Sequence, residues 1–384
     1  MAFGAFAASA PASAALTLPA TGYYQYGDFQ SYSMPILAYQ YDAAFGGGVG
    51  PGNPYYIPSS PGIIQDQIVI YTGSDGGPIN NNSNPAIAGT GFVDNPFAAP
   101  NGKIAPYFQT FGSAEPTPNG GSQDLTGYWD ISLSKLSNFL GGNANNLVFL
   151  FNNNDTNADQ NLAIWGRMWI TDANGNTMTN ASINNGVGTF CLSNMGMNYG
   201  LGGIPNGTAN YSCSTDEQAG KPLVNSATGA TDYIQSGGEV CIKTATGEVV
   251  PCTSSLPAGV VKFNHNLGAN QVAYAGVSAE LNALLALLFA NGGDYTLHAD
   301  MHLGCDSQWD PSAKTEKALA DSAKCAMKMI DNGYEQLFIS SLASPPVCTV
   351  GVDCPVLPEP HSIALLALGL FGLAYSTKVR AKKN

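Results

Sequence analysis

The chain has 384 residues, of which only 11% are charged, and its formal net charge at pH 7 is −13. Ten basic residues precede Pro358 against twenty-six acidic ones. This portion has no basic stripe of the kind that binds phosphate backbones, so no nucleic-acid partner is expected. The abundance of Gly, Asn, Ser, Thr and Tyr instead suits an extracellular setting with divalent cations and polysaccharide.

The first residues are small and apolar, and the Ala-Ser-Ala run at residues 12–14 fits the cleavage pattern of a secretory signal. A positively charged start is missing, since the first basic residue is Lys103. We therefore interpret residues 1–15 as a partial signal peptide and expect an exported protein. A Leu-Pro-Ala-Thr-Gly string at residues 18–22 matches a Gram-positive sorting pattern, but no apolar span and basic tag follow it. We attribute that match to chance.

Composition divides the rest of the chain into segments. Residues 16–62 are rich in Tyr, Gly and Pro and predict a loop-dominated N-terminal segment, with one edge strand at residues 33–41. Residues 63–347 predict the ectodomain, and a linker follows at residues 348–357. Within the ectodomain, Asn-Pro, Asn-Gly and Gly-Gly pairs predict a long loop over residues 73–127. A loop of this length is usually functional or disordered.

The periodic pattern is clearest after this loop. Residues 128–142 predict a helix that is capped by Asp130 or Ser132 and stopped by two glycines. Residues 278–293 form an apolar run of about thirteen helical residues, short of the ~20 needed to span a membrane, which predicts a buried core helix. Residues 312–330 predict a surface helix. Alternating segments predict strands at residues 145–153, 161–172, 176–183, 187–192, 236–245, 248–253, 260–267, 294–305 and 334–342.

Many short strands, Gly and Asn turns, and two or three helices define the predicted fold class. It is mainly β, with an antiparallel β-sandwich or jelly-roll-like ectodomain. A C-terminal transmembrane sorting helix is predicted in addition.

A polar loop offers a calcium pattern, because Asp or Asn recurs at every second position like the start of an EF-hand or dockerin loop. Calcium prefers several oxygen ligands from one loop, so calcium is the candidate cofactor. The pattern lacks Gly at its sixth position and Glu at its twelfth, and a plain polar loop between two strands is the alternative. The four residues are Asp155, Asn157, Asp159 and Asn161.

The strand predicted at residues 294–305 carries a second candidate metal site. Alternation places His298, Asp300 and His302 on one face. Two imidazoles and a carboxylate could bind zinc, iron or manganese. Same-face neighbours lie about 7 Å apart on a strand, however, so the three side chains converge only if the strand bends. The pattern favours a solvent-facing polar row opposite the core row.

No motif predicts an enzyme, and we interpret the protein as non-enzymatic. A Gly-x-Ser-x-Gly string is absent, and no carboxylate pair has a recognisable setting for glycoside hydrolysis. His265 could act as a catalytic base, but the alternative is that it braces a loop. Aromatic side chains could instead stack on sugars, with core packing as the alternative for the tryptophans. These residues are Tyr128, Trp129, Trp165, Trp169 and Trp309.

The chain has eight cysteines, an even number that predicts disulfides in an exported protein. They are Cys191, Cys213, Cys241, Cys252, Cys305, Cys325, Cys348 and Cys354. We predict sequential pairing, in which each bond closes a short loop. A turn at residues 246–248 would bring the third and fourth cysteines together. The predicted pairs are Cys191–Cys213, Cys241–Cys252, Cys305–Cys325 and Cys348–Cys354. A zinc cluster is the alternative, but there is no Cys-x2-Cys pair.

Three features follow one another at the C-terminus. A Pro-Glu-Pro triplet forbids helix and leaves an extended peptide. The next segment, residues 362–377, is uncharged and apolar and would form a helix of about 24 Å, short of the ~30 Å hydrocarbon core. It could span the membrane only with local thinning or snorkelling. A basic cluster follows, which stays on the cytoplasmic side. The signal residues are Pro358, Glu359, Pro360, Lys378, Arg380, Lys382 and Lys383.

This order resembles the PEP-CTERM sorting signal of Gram-negative bacteria, with an ordinary single-span anchor as the alternative. The resemblance implies that an exosortase reads and processes residues 358–384. It also implies a transient stay in the inner membrane and a final place at the cell surface or in the exopolysaccharide matrix. Residues 65–355 are similar to the body of a group of PEP-CTERM exoproteins, which implies a shared fold and location but no reaction.

Two functions therefore stand as predictions. The first is a non-enzymatic surface or matrix protein that an exosortase sorts. The second is a calcium-assisted carbohydrate-binding module of the exopolysaccharide matrix, in which the loops at residues 73–127 and 152–161 bind sugar.

Overall fold

A computed structural model describes most of the chain before residue 343. The described residues are 16–59, 67–73, 81, 93–99, 106–113, 124–142, 145–153, 161–194, 204–205, 212–267, 271–330 and 335–342. The signal-like residues 1–15, the Cys348 and Cys354 pair, the linker and the whole sorting signal lie outside them.

The described part is mainly β, as predicted. The strands are β1 (Tyr24–Tyr26), β2 (Phe29–Ser33), β3 (Ile68–Gly73), β4 (Phe97–Ala99), β5 (Tyr107–Gln109), β6 (Trp129–Ser132), β7 (Asn146–Asn152), β8 (Asn161–Asp172), β9 (Thr189–Leu192), β10 (Ile204–Pro205), β11 (Val224–Asn225), β12 (Ala230–Thr231), β13 (Ile234–Gly237), β14 (Glu239–Lys243), β15 (Glu248–Val250), β16 (Val260–Asn264), β17 (Tyr274–Val277), β18 (Tyr295–Gly304) and β19 (Gln336–Leu342). The helices are α1 (Met34–Phe45), α2 (Leu133–Leu140), α3 (Thr215–Gln218), α4 (Ala279–Asn291) and α5 (Glu316–Ala320).

Two large sheets organise these strands. The first sheet has eight strands in the order β10-β1-β2-β17-β7-β19-β3-β4. The second sheet follows the path β13-β8-β18-β5, and β6 and β9 pair with β18 and β8 respectively. Neighbours are antiparallel except for β3 and β4. The predicted N-terminal segment, residues 16–62, supplies β1 and β2 and is therefore an integral part of the first sheet.

The main apolar core lies between the two sheets and takes side chains from both. Phe149 and Phe151 of β7 belong to it together with Met168 of β8. The alternate side chains of β7, Val148 and Leu150, pack in a second cluster with α1. Burial of both faces explains why β7 reads as a continuous apolar run rather than an alternating one.

Helices α2 and α4 form as predicted, and both contribute leucines to the main core. Ser132 is the N-cap residue of α2, and Gly141 ends that helix in the left-handed conformation at φ 80°. In α4 the buried Asn282 side chain exchanges two hydrogen bonds with the backbone of Leu147 at the start of β7. Among the described residues, no helix has both the length and the apolarity needed to cross a membrane.

Four element predictions are wrong. The segment predicted as a long loop, residues 73–127, contains β4 and β5. Residues 33–41 begin a helix, because the Ser33 hydroxyl accepts a hydrogen bond from the Ile36 amide and proline occupies the first turn. Residues 312–330 contain only the short α5. The Ser322 hydroxyl donates a hydrogen bond to Asp310, just before this segment, at 2.7 Å. The chain between these two residues folds back in turns instead of continuing as a helix. Residues 176–183 hold a turn and take part in two isolated bridges, Thr171–Thr177 and Asn180–Ile183, in place of a strand.

Three of the four predicted disulfides are present: Cys191–Cys213, Cys241–Cys252 and Cys305–Cys325. The first and third are buried and belong to one cluster with Trp165 on the outer side of the second sheet. The second closes the β14–β15 hairpin, as the turn pattern predicted.

Asp28 joins the β1–β2 turn to the first disulfide. Its amide donates to the Cys191 carbonyl at 2.9 Å, and its carboxyl accepts from the Cys191 amide at 2.8 Å. Burial, with a smaller contribution from Glu280 and Glu217, raises the pKa of Asp28 to about 8 against the opposing effect of the Cys191 hydrogen bond. The carboxyl is therefore largely protonated at pH 7.

The raised pKa of Asp28 predicts the direction in which the stability of the fold changes with pH. Because the pKa is higher in the folded state, the folded chain holds a proton that the unfolded chain has lost above about pH 4. The contribution of Asp28 to the free energy of unfolding therefore falls as pH rises from about 4 to 8, by up to about 1.4 kcal/mol per pH unit. We expect D28N to remove this component, measured by urea unfolding at pH 5 and pH 8. The exposed D294N is the control, and an unchanged pH dependence in D28N would contradict the assignment.

Candidate functional site

The outer side of the second sheet carries a buried polar face. Leu297, Ala299 and Met301 of β18 point to the main core, so the alternate residues point to the opposite side. His298, Asp300 and His302 are 0%, 0% and 7% exposed. The prediction of a solvent-facing row is therefore wrong. We use the name polar face for the set Asp130, Arg167, Thr171, His298, Asp300 and His302.

Strand register assembles the first half of the polar face. Asp130 of β6 and Trp169 of β8 are the direct partners of His298 on either side. The Nδ1 atom of His298 is hydrogen-bonded to a carboxylate oxygen of Asp130, and its Nε2 atom lies 2.8 Å from the Thr171 hydroxyl oxygen. The Trp169 ring stacks on the imidazole with centroids 5.1 Å apart.

Burial lowers the pKa of His298 to about 3, although the charge of Asp124 acts in the opposite direction. The imidazole is therefore neutral at pH 7. With Asp130 beside Nδ1, the hydrogen-bonding network places the proton on Nδ1, and Nε2 accepts a hydrogen bond from Thr171.

Carboxylate, imidazole and hydroxyl thus follow the donor and acceptor order of a hydrolase triad. A triad also needs a substrate carbonyl within reach of the nucleophilic oxygen. Asp130, His298 and Thr171 are all buried, so no substrate reaches the Thr171 oxygen in this conformation. In the described state, the contacts connect β6, β18 and β8 to one another.

Asp300 organises the second half of the polar face. Its two oxygens meet the Arg167 Nε atom at 3.0 Å and the Thr110 hydroxyl at 2.8 Å, and His302 Nε2 lies 3.4 Å away. Burial by itself would raise the pKa of Asp300, but His302, Arg167 and Thr110 together hold it below its ordinary value. The carboxylate is thus ionised and paired inside the protein.

Arg167 also links the polar face to the segments that cover it. Its guanidinium donates to the Gln218 carbonyl at the end of α3 and contacts the Tyr128 hydroxyl at 3.4 Å. The same group lies over the Trp169 ring, 4.7 Å from the centroid. These contacts explain why the row is buried, since residues distant in sequence fold over it.

The structure does not bring His298, Asp300 and His302 together around one point. His298 is bonded to Asp130 and Thr171, whereas His302 lies beside Asp300. Within the described ranges, one group of three acidic or metal-binding side chains has all its ligand atoms within 4.8 Å of one another: Asp94, Asp124 and Asp130. Their oxygen atoms suit a hard cation such as calcium. Sequence reasoning missed this group because its members come from separate segments with no common spacing.

A second oxygen-rich cluster lies where β7 and β19 meet, just before the predicted calcium loop. Asn152 and Gln336 are direct cross-strand partners, and Asn153 follows β7. All three side chains are fully buried. Both polar atoms of each asparagine, and Oε1 of Gln336, have no hydrogen-bond partner. We call these three side chains, with the adjacent buried Glu335, the amide cluster.

Only one of the four predicted calcium residues belongs to the described part of the chain. Asp155, Asn157 and Asp159 lie outside the described residues, and Asn161 is the first residue of β8. The amide cluster includes Asn153, which lies two residues before Asp155.

Most of the predicted sugar-stacking residues are buried. Trp129, Trp165 and Trp309 lie in the interior, and Trp165 donates to Glu217 at 3.2 Å. Tyr128 and Trp169 are partly exposed and contact each other edge to face at 5.0 Å. Phe111, which is 55% exposed, stacks on Tyr128. We call Phe111, Tyr128 and Trp169 the aromatic patch.

Fold and site together define a mainly β protein with three disulfides, two of them buried, a buried polar face and a small surface patch of aromatic rings. A family described as a domain of unknown function, DUF8239, matches residues 15–302, and the chain belongs to this family. No curated protein and no solved structure matches the chain. The matched range includes β1, β2 and all of the polar face.

Proposed function

We propose that the protein is an exported, non-enzymatic component of the cell surface or the extracellular matrix, which an exosortase sorts and processes through the C-terminal tail. The observation that carries this proposal is the set of three disulfides, because such bonds persist in oxidising compartments outside the cytoplasm. We also assign the two packed sheets to the antiparallel β-sandwich class, with a jelly-roll-like arrangement. The Pro-Glu-Pro tail supplies the sorting step.

The polar face supports the non-enzymatic part of this proposal. Its one arrangement with the order of a catalytic triad is buried, and the pairing of Asp300 with Arg167 and Thr110 engages both carboxylate oxygens. Groups arranged in this way brace strands against one another. Such bracing would stabilise a surface protein, which functions outside the cytoplasm and its chaperones.

Replacement of the triplet tests the sorting step. Changing Pro358, Glu359 and Pro360 to alanine should shift the full-length protein from the extracellular fraction to the membrane fraction in its native host. The matched control replaces Pro345 and Pro346, which lie upstream of the signal. An unchanged distribution of the triplet variant, with the control also unchanged, would refute exosortase sorting.

A second candidate function is carbohydrate binding, and the aromatic patch is the observation that favours it. Exposed rings supply stacking faces for sugars, and Arg167 lies beside Tyr128 and Trp169. A glycan array should then show binding that F111A weakens. F45A removes an equally exposed phenylalanine on another segment and is the control. Binding to no glycan by the folded wild type would exclude this function.

Calcium dependence has its own test at the amide cluster. If these oxygens hold calcium, an excess of 100 times Kd stabilises the fold by about 2.7 kcal/mol, and chelator removes the effect. N152L should abolish the response, while the exposed N291L should keep it. If the amides are merely buried, N152L is at least as stable as the wild type, because it removes unsatisfied polar atoms, and calcium changes nothing. Thermal unfolding with and without calcium separates the two results.

A further inference from the structure

A cavity lies between the two large sheets, away from the polar face. Phe29 and Phe149 line it from the first sheet, and Met168 and Met301 line it from the second. Its volume is about 70 Å³, measured as the space that the centre of a water molecule can occupy. One water needs about 10–15 Å³ on this measure, so the cavity has room for a small organic molecule.

The walls of the cavity determine the kind of molecule that fits. They are mostly aromatic and aliphatic, and no lining residue carries a charge. An ionised group placed here would lose its hydration without gaining a partner. The two methionines add walls that adapt to different shapes. The cavity therefore suits a neutral, apolar molecule.

One polar group in the wall lacks a partner. Ser236 of β13 is 4% exposed, and its hydroxyl has no hydrogen bond. It stands opposite Leu162, and its same-face neighbour Ile234 belongs to the main core, so its side chain also faces the interior. A buried hydroxyl of this kind destabilises the protein unless something bonds to it. A ligand with one hydrogen-bonding group would satisfy it.

Gly276 lines the cavity and, because it has no side chain, leaves part of the space open. It lies in β17, between Ser31 of β2 and Phe149 of β7. A Cβ atom added at this position would find its nearest neighbours 3.9 Å away, which is an ordinary contact. Glycine in the interior of a strand often marks a place where a ligand approaches the backbone closely. Steric conflict with the protein therefore does not account for glycine here.

We propose that this cavity is a binding site for a small neutral molecule with an apolar body and one hydrogen-bonding group directed at Ser236. The site lies between the sheets and is independent of the sorting signal, the aromatic patch and the amide cluster. It adds ligand capture to a protein proposed above to be structural.

Benzyl alcohol and toluene are suitable probes, because they differ only in a hydroxyl group. Saturation-transfer NMR and calorimetric titration on the folded protein should detect both, with benzyl alcohol binding about two- to tenfold more tightly, the range of one net hydrogen bond. S236A should leave toluene binding intact and remove the preference for the alcohol. The exposed S182A is the control. G276V should abolish binding of both probes by filling the cavity.

Thermal unfolding shows whether each variant is folded. If G276V fails to fold, G276A adds a single methyl group to the same space and should weaken both probes. Absence of saturable binding to the wild type overturns the proposal. It is equally overturned if the folded glycine variants bind both probes like the wild type. An S236A protein that keeps the full preference for the alcohol overturns the role of Ser236.

Discussion

Replacement of Arg167 with methionine is expected to lower the free energy of unfolding by about 3–5 kcal/mol, because it leaves the Asp300 carboxylate buried without its charged partner. The loss also removes the contacts of the guanidinium with Gln218 and Tyr128. Urea unfolding at pH 7, followed by tryptophan fluorescence, measures it.

Two further variants test whether the loss of stability in R167M comes from the unpaired, buried Asp300 carboxylate. The double variant R167M with D300L should recover much of the stability, since replacing both members of a buried pair with apolar side chains is often neutral or stabilising. K317M breaks the exposed pair with Asp321 and should change little. An R167M protein as stable as K317M would show that the buried pair is unimportant.

Removal of the Cys191–Cys213 disulfide is the second change with a large expected effect. Replacing both cysteines with alanine should lower the free energy of unfolding by about 2–5 kcal/mol. The bond lies in the interior next to Trp165, and the backbone of Cys191 holds the Asp28 turn. The loss therefore combines a less restricted unfolded chain with damaged packing.

The Cys241–Cys252 bond serves as the comparison. It closes a shorter loop, with a sequence separation of 11 against 22, and loop length alone accounts for only about 0.6 kcal/mol of difference. Cys252 is exposed, so removal of the bond should disturb the small sheet of β15, β14 and β16 and little else. Equal losses in the two double variants would contradict the packing argument. Alkylatable thiols in the native protein would contradict the pairing itself.

Local patterns in the sequence predicted the elements whose signals are local. Alternation placed β18 and β8 correctly, and the serine and glycine caps defined α2. The three described disulfides follow their order in the chain because each closes a short loop. At residues 33–41 the Ser-x-Pro start of a helix was present, but the apolar run that follows it suits a strand equally well.

Features that depend on distant segments could not be predicted in the same way. A row such as His298 and Asp300 normally faces water. Here the partners come from segments at least 80 positions away. Thr110 bonds to Asp300, Asp130 bonds to His298, and Gln218 accepts from the Arg167 that pairs with Asp300. Periodicity reports which side chains share a face but not what lies above that face. The cavity at Gly276 and Ser236 is equally invisible, because it depends on how two sheets fail to fill the space between them.

The central claim is that the protein is exported and processed at its tail. Intact-mass measurement of the protein recovered from the extracellular fraction tests it most directly. We predict a mass that lacks the apolar segment at residues 362–377 and the basic cluster that follows it. The same molecule should contain three or more intact disulfides. A stably membrane-anchored protein that retains residues 362–384 would contradict the claim.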